Sequence, residues 1–518
     1  MNRRISTALL LVLLGIPCAF AADDDPKAHD MSSEAKLLGD LEHIEAPPDG
    51  WFTPEPKYEQ PYDAQAQLDI YDNVIVDKSD LTKKRHVNPN PTGVPAVEAG
   101  IRMYDRGAYT PRPTWLFGPK DPMLVGFAAY GDLRIAADSY DSGTNGKKQS
   151  QIAARLNLDM DLALTATERI HAFARPLDKG GKSFTRYDIS GAVEDKFTHA
   201  FDFDLETLFF EGDLGQITGG WRGKPSRFDL PIAFGKMPFV AQNGVWIEDA
   251  FDGAAFSITA KNIPKWDVSN TDLTIFGGWA QLTTDATLGS SKTGVFGAAG
   301  FADALRGYIE YGYGYVNADD DDLSYHNVTA AYTRRYKGRL SNSIRVIGNF
   351  GQKGNPGGSK TADGVLILVE NSLTPHYLPW SQANQSNFVP YLNLFAGFDS
   401  PQSLARNADA GGVLRNTGLA FESDGMTGYP TLDAKAHDTY GGSLGLEYLF
   451  DLAHQIVVET SVVQRRSGST LPGNEYSVGV RYQQPISPDL IIRFDAMKGW
   501  LQGQKDIYGV RAELRLKF

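Results

Sequence analysis

The chain has 518 residues and a formal net charge of −13 at pH 7. Because nucleic acid is bound through clustered Lys and Arg side chains, this acidic balance excludes nucleic acid as an expected partner. The only cysteine is Cys18, so the chain beyond it can form no disulfide, thiolate metal site or catalytic thiol.

The N-terminus has the residue order of a cleavable export signal. Arg3 and Arg4 precede the apolar run ALLLVLLGIP, and Ala19-Phe20-Ala21 supplies the small residues that a signal peptidase recognises. Pro17 stands before Cys18, where a lipoprotein signal needs a small residue, so the pattern argues against a lipid anchor. We predict a signal peptide at residues 1–21 and export across the inner membrane of a Gram-negative cell.

Residues 22–121 are rich in Pro, Asp and Lys and contain one short strand-like piece, LDIYDNVIV. Such a composition is typical of irregular structure rather than of a packed domain. We expect this extension either to plug the lumen of the following domain or to bind a periplasmic partner.

Segments of alternating polarity begin at about residue 122 and continue to the last residue. The clearest runs from Ile152 to Leu164, where Leu156 lies on an apolar face and Arg155 and Asp159 on the other. This segment is longer than most soluble strands, and a tilted membrane-crossing strand needs about 9–11 residues. A soluble all-β sandwich also explains alternation, but the strand length and the export signal favour a membrane barrel.

We therefore predict an all-β fold, an antiparallel transmembrane β-barrel over residues 122–518. At about 22 residues per strand and turn, the segment gives about 18 strands, within a range of 16 to 20. No stretch after the signal has the eighteen consecutive apolar residues that a membrane helix requires. An even strand number places both termini in the periplasm, with short turns such as DLAH and ISPD on that side.

An unusual set of residues lies between 201 and 256. An acidic strand end, a Gly-Lys strand and a later Asn-Gly, Trp and Asp-x-x-x-Gly run follow in that order, a pattern that resembles the alginate-export family of outer-membrane channels. The resemblance implies an 18-stranded exporter of an acidic polysaccharide. The matching residues are Glu211, Gly212, Gly235, Lys236, Asn243, Gly244, Trp246, Asp249 and Gly253.

Tyrosines alternate in the segment YIEYGYGY. The period of two places Tyr311, Tyr313 and Tyr315 on one face and Tyr308 on the other. The three together predict an interfacial aromatic girdle, with a stacking surface for sugars as the alternative. The longest insertion, residues 399–438, is the predicted gating or selecting loop.

The last segment, DIYGVRAELRLKF, alternates without interruption and ends on Phe518. A terminal aromatic residue on such a strand resembles the signal that the outer-membrane barrel assembly machinery recognises. We therefore expect that machinery, outer-membrane lipid and lipopolysaccharide to be partners of this chain.

Charged residues occupy the alternate positions that would face the lumen. Arginine can hold a carboxylate at two points, so a row of arginines would guide a small hydrophilic or anionic solute. In the alternative, these charges pair across neighbouring strands and only keep the lumen wet. Asp132, Glu447, Glu459 and Glu513 share this face. The predicted pore-lining residues are Arg134, Arg155, Asp159, Asp161, Arg335, Arg345, Arg465, Arg481, Arg493, Asp495, Arg511 and Arg515.

The predicted function is an outer-membrane channel for diffusion or export of a hydrophilic, possibly anionic, solute. Two alternatives are an exporter docked to a periplasmic polysaccharide synthase and a barrel that sheathes a multihaem cytochrome supplied by a partner. An enzyme is not predicted, since His171 and His199 lack a Ser or Cys in a nucleophile setting. No metal site and no cofactor is predicted, because the acidic runs at 23–25 and 318–322 are typical of solvated loops.

Overall fold

A computed structural model describes residues 96–99 and 126–518, apart from residues 144–147, 166, 180–182, 192–193, 225, 288–291, 355–359, 375–386, 407–410, 423–427, 451–452 and 488. The predicted signal peptide lies outside the described residues, as does the predicted extension except for residues 96–99. No helix in the described part is long and apolar enough to span a membrane.

The described residues form strands joined by turns, with one nine-residue α-helix, α1, at Leu214–Arg222. In chain order the strands are β1 Val97–Ala99, β2 Gly126–Asp141, β3 Gln149–Ala163, β4 Arg169–Ala174, β5 Asp178–Lys179, β6 Ser183–Ser190, β7 Lys196–Thr198, β8 Leu205–Asp213, β9 Pro231–Ala241, β10 Ile247–Ile263, β11 Val268–Ala280, β12 Gly294–Ala304, β13 Gly307–Asn317, β14 Tyr325–Tyr336, β15 Leu340–Phe350, β16 Asp363–Leu373, β17 Phe388–Ser400, β18 Ala405–Arg406, β19 Thr439–Leu449, β20 Gln455–Arg465, β21 Glu475–Pro485, β22 Leu490–Leu501 and β23 Ile507–Lys517. Short 3-10 helices lie at Pro264–Trp266, Asp285–Thr287, Asp321–Leu323, Arg415–Thr417 and Leu419–Phe421.

These strands close into one antiparallel barrel. Consecutive wall strands pair along their lengths, and β23 pairs with β2, which completes the ring. β4 and β6 pair with successive parts of β3 and share one position in the wall. β7 and β8 share the next position, because they pair with β6 and β4 respectively. The wall therefore has 18 strand positions, which confirms the prediction of about 18.

The alternation of each strand sets its two faces. In β23, Tyr508, Val510 and Leu514 are exposed on the outside, whereas Arg511 and Glu513 are buried on the inside. Successive side chains of a strand point to opposite faces, so a strict period of two yields an apolar outer surface and a charged inner one.

The two rims of the barrel differ. The rim that holds the C-terminus, here the termini end, has tight turns; Phe450 N–H bonds to His454 O across one of them at 2.8 Å. Phe518 exchanges both backbone hydrogen bonds with Gly131, at 2.8 and 3.0 Å. β1 pairs with Ala129 to Phe127 of β2 directly beyond that point, so this piece of the predicted extension adds to the sheet. Sequence patterning did not predict this strand.

The opposite rim, here the long-loop end, carries residues 401–438 between β17 and β19, and this segment is the inner loop. Its described residues, 401–406, 411–422 and 428–438, fold into the barrel and join the main hydrophobic core. Two glycines of β13 leave space on the inner face of the wall. A side chain at Gly312 would collide with Trp246, which lies in the turn before β10, and one at Gly314 would collide with Leu404 of the inner loop. Residues of the inner loop in this core include Leu404, Ala405, Val413, Leu414, Ala420, Phe421, Leu432, Ala434 and Ala436.

Candidate channel interior

The inner loop crosses the inside of the barrel. Its strand β18 pairs in parallel with Ile247 and Glu248 at the start of β10. Farther along, the Tyr429 hydroxyl donates to Gly509 O on β23 at 3.0 Å. β10 and β23 are not neighbours in the wall, so one segment reaches both only through the interior. The side chains that meet this loop therefore mark the inner face.

Trp246 anchors the loop to the wall. It lies in the turn before β10, is fully buried, and donates from Nε1 to Asn327 Oδ1 at 2.7 Å. Asn327 Nδ2 in turn donates to Gln402 O at 3.0 Å, and Leu404 N–H bonds to Trp246 O at 2.8 Å. The indole N–H of a buried Trp needs such a partner, so packing and hydrogen bonding select the same loop position.

A shared carboxylate holds two loop arginines. Glu248 lies 3.4 Å from Arg406 and 3.1 Å from Arg415. Arg406 also donates to Gly244 O. Burial lowers the pKa of Arg406 to about 10, so the guanidinium stays charged at neutral pH and the pair persists. Gly244 belongs to the Asn-Gly motif of the sequence, and its left-handed φ of 74° suits a turn.

Glu459 on β20 caps the 3-10 helix Leu419–Phe421 of the inner loop. Its carboxylate accepts the backbone N–H groups of Leu419 and Ala420 at 2.9 and 3.0 Å. The Tyr391 hydroxyl donates to the same carboxylate at 2.6 Å. An anion at the start of a helical turn meets unpaired N–H groups, so these bonds pin the loop to the wall on this side.

Five predicted pore-lining arginines gather on β21, β22, β23 and β2, and we call Arg134, Arg481, Arg493, Arg511 and Arg515 the arginine cluster. Arg481 bonds to Glu422 of the inner loop and to Asp495, both at 2.7 Å. Arg493 reaches Asp495 at 2.8 Å. Glu513 binds Arg134 at 2.7 Å, Arg515 at 3.1 Å and also Arg511. These arginines therefore interlock with carboxylates of neighbouring strands.

The other predicted pore-lining arginines do not join this cluster. Arg155 pairs with Asp178 at 2.7 Å and Arg345 with Glu370 at 2.8 Å. Arg335 and Arg465 are exposed at opposite rims, and Arg465 donates to Pro472 O at 3.0 Å.

The predicted pore-lining acids on β3 lie near the termini end. Asp159 stands opposite Tyr130 and Phe173 in register. Asp161 accepts the Tyr130 hydroxyl at 2.8 Å and pairs with His171, which also lies 3.3 Å from Glu211. A cavity of about 670 Å³ lies beside Asp161 and Glu211.

The motif residues between 211 and 253 do not form one site. Glu211 pairs with Arg169, and Gly212 follows it at the end of β8. Lys236 Nζ donates to Leu205 O at 3.0 Å, and Asp249 accepts Thr283 N–H at 2.6 Å. A side chain at Gly253 would lie 2.5 Å from Gly277 O, so the chain needs glycine there. Three of them, Asn243, Gly244 and Trp246, hold the inner loop: Asn243 O accepts from Asn416 Nδ2 at 2.6 Å and Gly244 O from Arg406, beside the Trp246 contacts.

Sequence patterning missed a polar cavity of about 640 Å³ between the inner loop and the inner faces of β13 to β17 and β19. Neutral residues line most of it, and in one sequence they do not stand out from ordinary strand residues. Tyr308 lines this cavity, on the opposite face from the exposed Tyr311 and Tyr313. No group of three or more His, Cys, Asp or Glu among the described residues is arranged to hold a metal ion.

No protein-family profile and no curated protein matches this chain. Among solved structures, OccK5 (OpdH) of Pseudomonas aeruginosa is 12% identical with a TM-score of 0.48, over 76% of this chain and 98% of that one. OccK11 (OpdR) of the same organism is 10% identical with a TM-score of 0.46, over 76% and 96%. The outer membrane protein opdK is 12% identical with a TM-score of 0.46, over 75% and 98%. The resemblance to alginate-export channels gains no support from these comparisons.

Proposed function

We propose that this protein is an outer-membrane channel through which small hydrophilic solutes diffuse. The observation that carries this proposal is the closed wall of 18 strand positions, apolar outside and charged inside. Hydrocarbon offers no partner for an unpaired backbone group, so among sheets only a closed one suits a bilayer. Barrels of about 16–18 strands are wide enough to leave an aqueous channel.

The inner loop is the constriction of this channel. Trp246 and Glu248 hold it at the start of β10 and Glu459 holds it at β20, so it narrows the lumen without depending on a bound partner. Phe518 closes the last strand and is the residue through which we expect the barrel assembly machinery to act. A periplasmic partner bound through residues 22–121 stays a prediction.

Anion guidance is the finer part of the proposal, and the arginine cluster supports it. Its five guanidinium groups share four carboxylates, those of Asp132, Glu422, Asp495 and Glu513. The excess of positive charge is small, because most of each arginine's field is cancelled by a neighbour. We therefore expect a weak preference for anions, not a strict one.

The test is single-channel recording in planar bilayers of the refolded chain without residues 1–21, the predicted signal peptide. The reversal potential is measured under a salt gradient. Steady conductance with a reversal potential on the anion side is expected. Arg493→Gln should reduce the anion preference, whereas the control Arg465→Gln, at the rim, should not. A barrel that migrates normally on a heat-modifiability gel yet never conducts would contradict the proposal and favour a partner-gated exporter or a cytochrome sheath.

A further inference from the structure

The cavity beside the inner loop offers neutral hydrogen-bonding groups where the arginine cluster offers charge. We propose that this cavity is a binding subsite for an uncharged saccharide of one or two rings, which the channel admits. This inference rests on the proposed channel function and names a solute class for it. The cavity is lined by β13 to β17 and β19 on one side and by residues 415–419 and Glu422 of the inner loop on the other.

Strand register places the cavity's polar side chains in two rows. The first row crosses the five adjacent strands β13 to β17 at directly paired positions, and the second crosses β15 to β17 two residues closer to the termini end. Neighbouring strands lie about 4.8 Å apart, so five positions span about 19 Å of inner wall. The first row is Tyr308, Thr333, Ser343, Glu370 and Asn393. The second is Ser341, Ser372 and Tyr391.

These rows offer both donors and acceptors. Thr333 Oγ1 donates to Ser343 Oγ at 2.9 Å, which leaves further lone pairs of both hydroxyls for a ligand. Asn393 Nδ2 donates to Thr417 O at 2.7 Å, so its Oδ1 remains an acceptor that faces the cavity. A sugar hydroxyl both donates and accepts, so mixed neutral groups at this spacing suit it better than a row of one charge.

Two tyrosines supply flat apolar surface at the ends of the rows. Tyr308 is 36% exposed; its ring centroid lies 5.4 Å from that of Phe301 on β12, and on β14 it stands opposite Thr333. The Tyr391 ring lies across Gly445, where a Cβ would be 1.9 Å from its Cζ, and its hydroxyl is held by Glu459. A pyranose ring has one face of C–H groups, which packs on an aromatic face while the ring's hydroxyls bond sideways.

Charge argues against a carboxylate as the preferred ligand here. Arg345 and Arg415 line the cavity, but each is already paired, with Glu370 at 2.8 Å and with Glu248 at 3.1 Å. Three carboxylates also line the cavity: Glu370 and Glu422 are paired, with Arg345 at 2.8 Å and Arg481 at 2.7 Å, and the third is Glu447. No ion pair joins Glu447 to another described residue. An anion would meet net negative charge, whereas an uncharged solute would not.

Size agrees with this class of ligand. The volume of about 640 Å³ lies within the range of about 300–1,000 Å³ that is usual for small-molecule sites. One or two sugar rings fit such a space with water left to fill the remainder. The tyrosine stacking surface predicted as an alternative for Tyr311, Tyr313 and Tyr315 thus has its counterpart inside the barrel, at Tyr308.

The experiment is to titrate maltose against the ion current of single channels, with sodium gluconate and glucosamine as probes of the anionic and cationic classes. Maltose should block the current in a saturable way, and Tyr308→Ala should weaken this block about tenfold, the loss of roughly one good contact. Ser343→Ala should weaken it by a smaller factor. The matched control is Tyr311→Ala, on the same strand but on the exposed outer face.

Titration calorimetry of the detergent-solubilised protein with maltose provides a second readout that needs no conduction. Saturable heat that is lost in Tyr308→Ala and kept in Tyr311→Ala supports the subsite even if bilayer recordings fail. Normal conductance with no block and no heat from maltose would overturn the subsite and leave the channel intact. Block by gluconate or glucosamine that exceeds block by maltose would also overturn it.

Discussion

The two halves of the lumen follow the same strand alternation but are filled in opposite ways. Toward the long-loop end, inward side chains such as Ile347 and Leu366 pack against the inner loop in a dry core. Toward the termini end, the same strands carry Arg345 and Glu370, which face a polar cavity. β22 shows the same change: Met497, toward the long-loop end, lies in the core, whereas Arg493, toward the termini end, belongs to the arginine cluster. The inner faces of these strands are therefore apolar where the inner loop packs on them and polar where they face the cavity.

The inner loop is held in two different ways, by packing and by charge. Packing and the buried Trp246 fix the loop at the long-loop half, whereas Glu459 of β20 binds the loop backbone and Arg481 of β21 binds the loop's Glu422 where the lumen becomes wet. Buried apolar contacts are insensitive to salt, whereas partly exposed ion pairs are screened by it. We therefore expect the packed anchor to contribute more to the resting position of the loop than any single ion pair.

The largest effect should come from removing the packed anchor with Trp246→Ala. Truncation of a buried Trp costs about 3–5 kcal/mol, and here it also leaves Asn327 Oδ1 without its donor. The loop should leave the core, and single-channel conductance should rise severalfold while the barrel stays intact on a heat-modifiability gel. The matched control is Trp279→Ala, an exposed outer-face Trp. Equal conductance in both variants would mean that Trp246 does not hold the constriction.

A smaller effect should follow from Glu459→Gln, which weakens the electrostatic anchor and keeps its shape. The amide keeps one oxygen as an acceptor but turns its NH₂ group toward the N–H of either Leu419 or Ala420, and loss of a bond to a charged group costs about 1.5–3 kcal/mol. The undocked loop should become about tenfold more populated, seen as more frequent transitions between conductance levels. Thr460→Val, its outward neighbour on β20, should leave those transitions unchanged.

Ion selectivity should respond more weakly still to Glu422→Gln. This change removes the loop carboxylate that Arg481 contacts at 2.7 Å and Arg493 at 3.8 Å, so the field of both guanidinium groups is less cancelled. The anion-to-cation permeability ratio should rise by a factor of about 2–3, measured from reversal potentials in low salt. A ratio that does not move, or that falls, would show that the arginine cluster does not line the conducting path.

The smallest effect concerns pH and His437 of the inner loop, whose Nε2 lies 3.1 Å from Gln402 Nε2. Burial lowers the pKa of His437 below its ordinary value of 6.5, so an undocked loop takes up a proton first. Docking should therefore weaken as pH falls through 6.5 toward that lowered pKa. Burial raises the pKa of Asp433, which acts in the opposite direction and makes the net change small.

Recording transition frequency between about pH 7.5 and about pH 5.5 checks this sign. The wild type should show more transitions at the acidic end, and His437→Gln, which keeps an acceptor for Gln402, should flatten the profile. Lys435, Asp285 and Asp438 also act on His437, so the same pH range should be repeated in high salt, where their fields are screened. An unchanged profile in His437→Gln would assign the pH response to another group.

Much of the barrel could be predicted from local patterning. The alternation of Ile152 with Arg155 and of Leu514 with Glu513 indicates which face of each strand is apolar, and chain length divided by strand length gives about 18 strands. The candidate site could be predicted only in part. Arg134, Arg481, Arg493 and Arg511 lie on the predicted face, but their carboxylate partners follow from the register between strands and from Glu422 in a distant loop.

The sequence by itself determined the two faces, the strand number and the presence of a long insertion at 399–438, because period and length are local properties of a strand. Only the tertiary structure decided that this insertion lies inside the barrel, that Trp246 packs over Gly312, and that Tyr308 and Tyr391 stand at the ends of rows of polar side chains. These contacts join residues far apart in the chain, and their free energy depends on closure of the whole ring. No local period encodes which inner side chains the loop will cover.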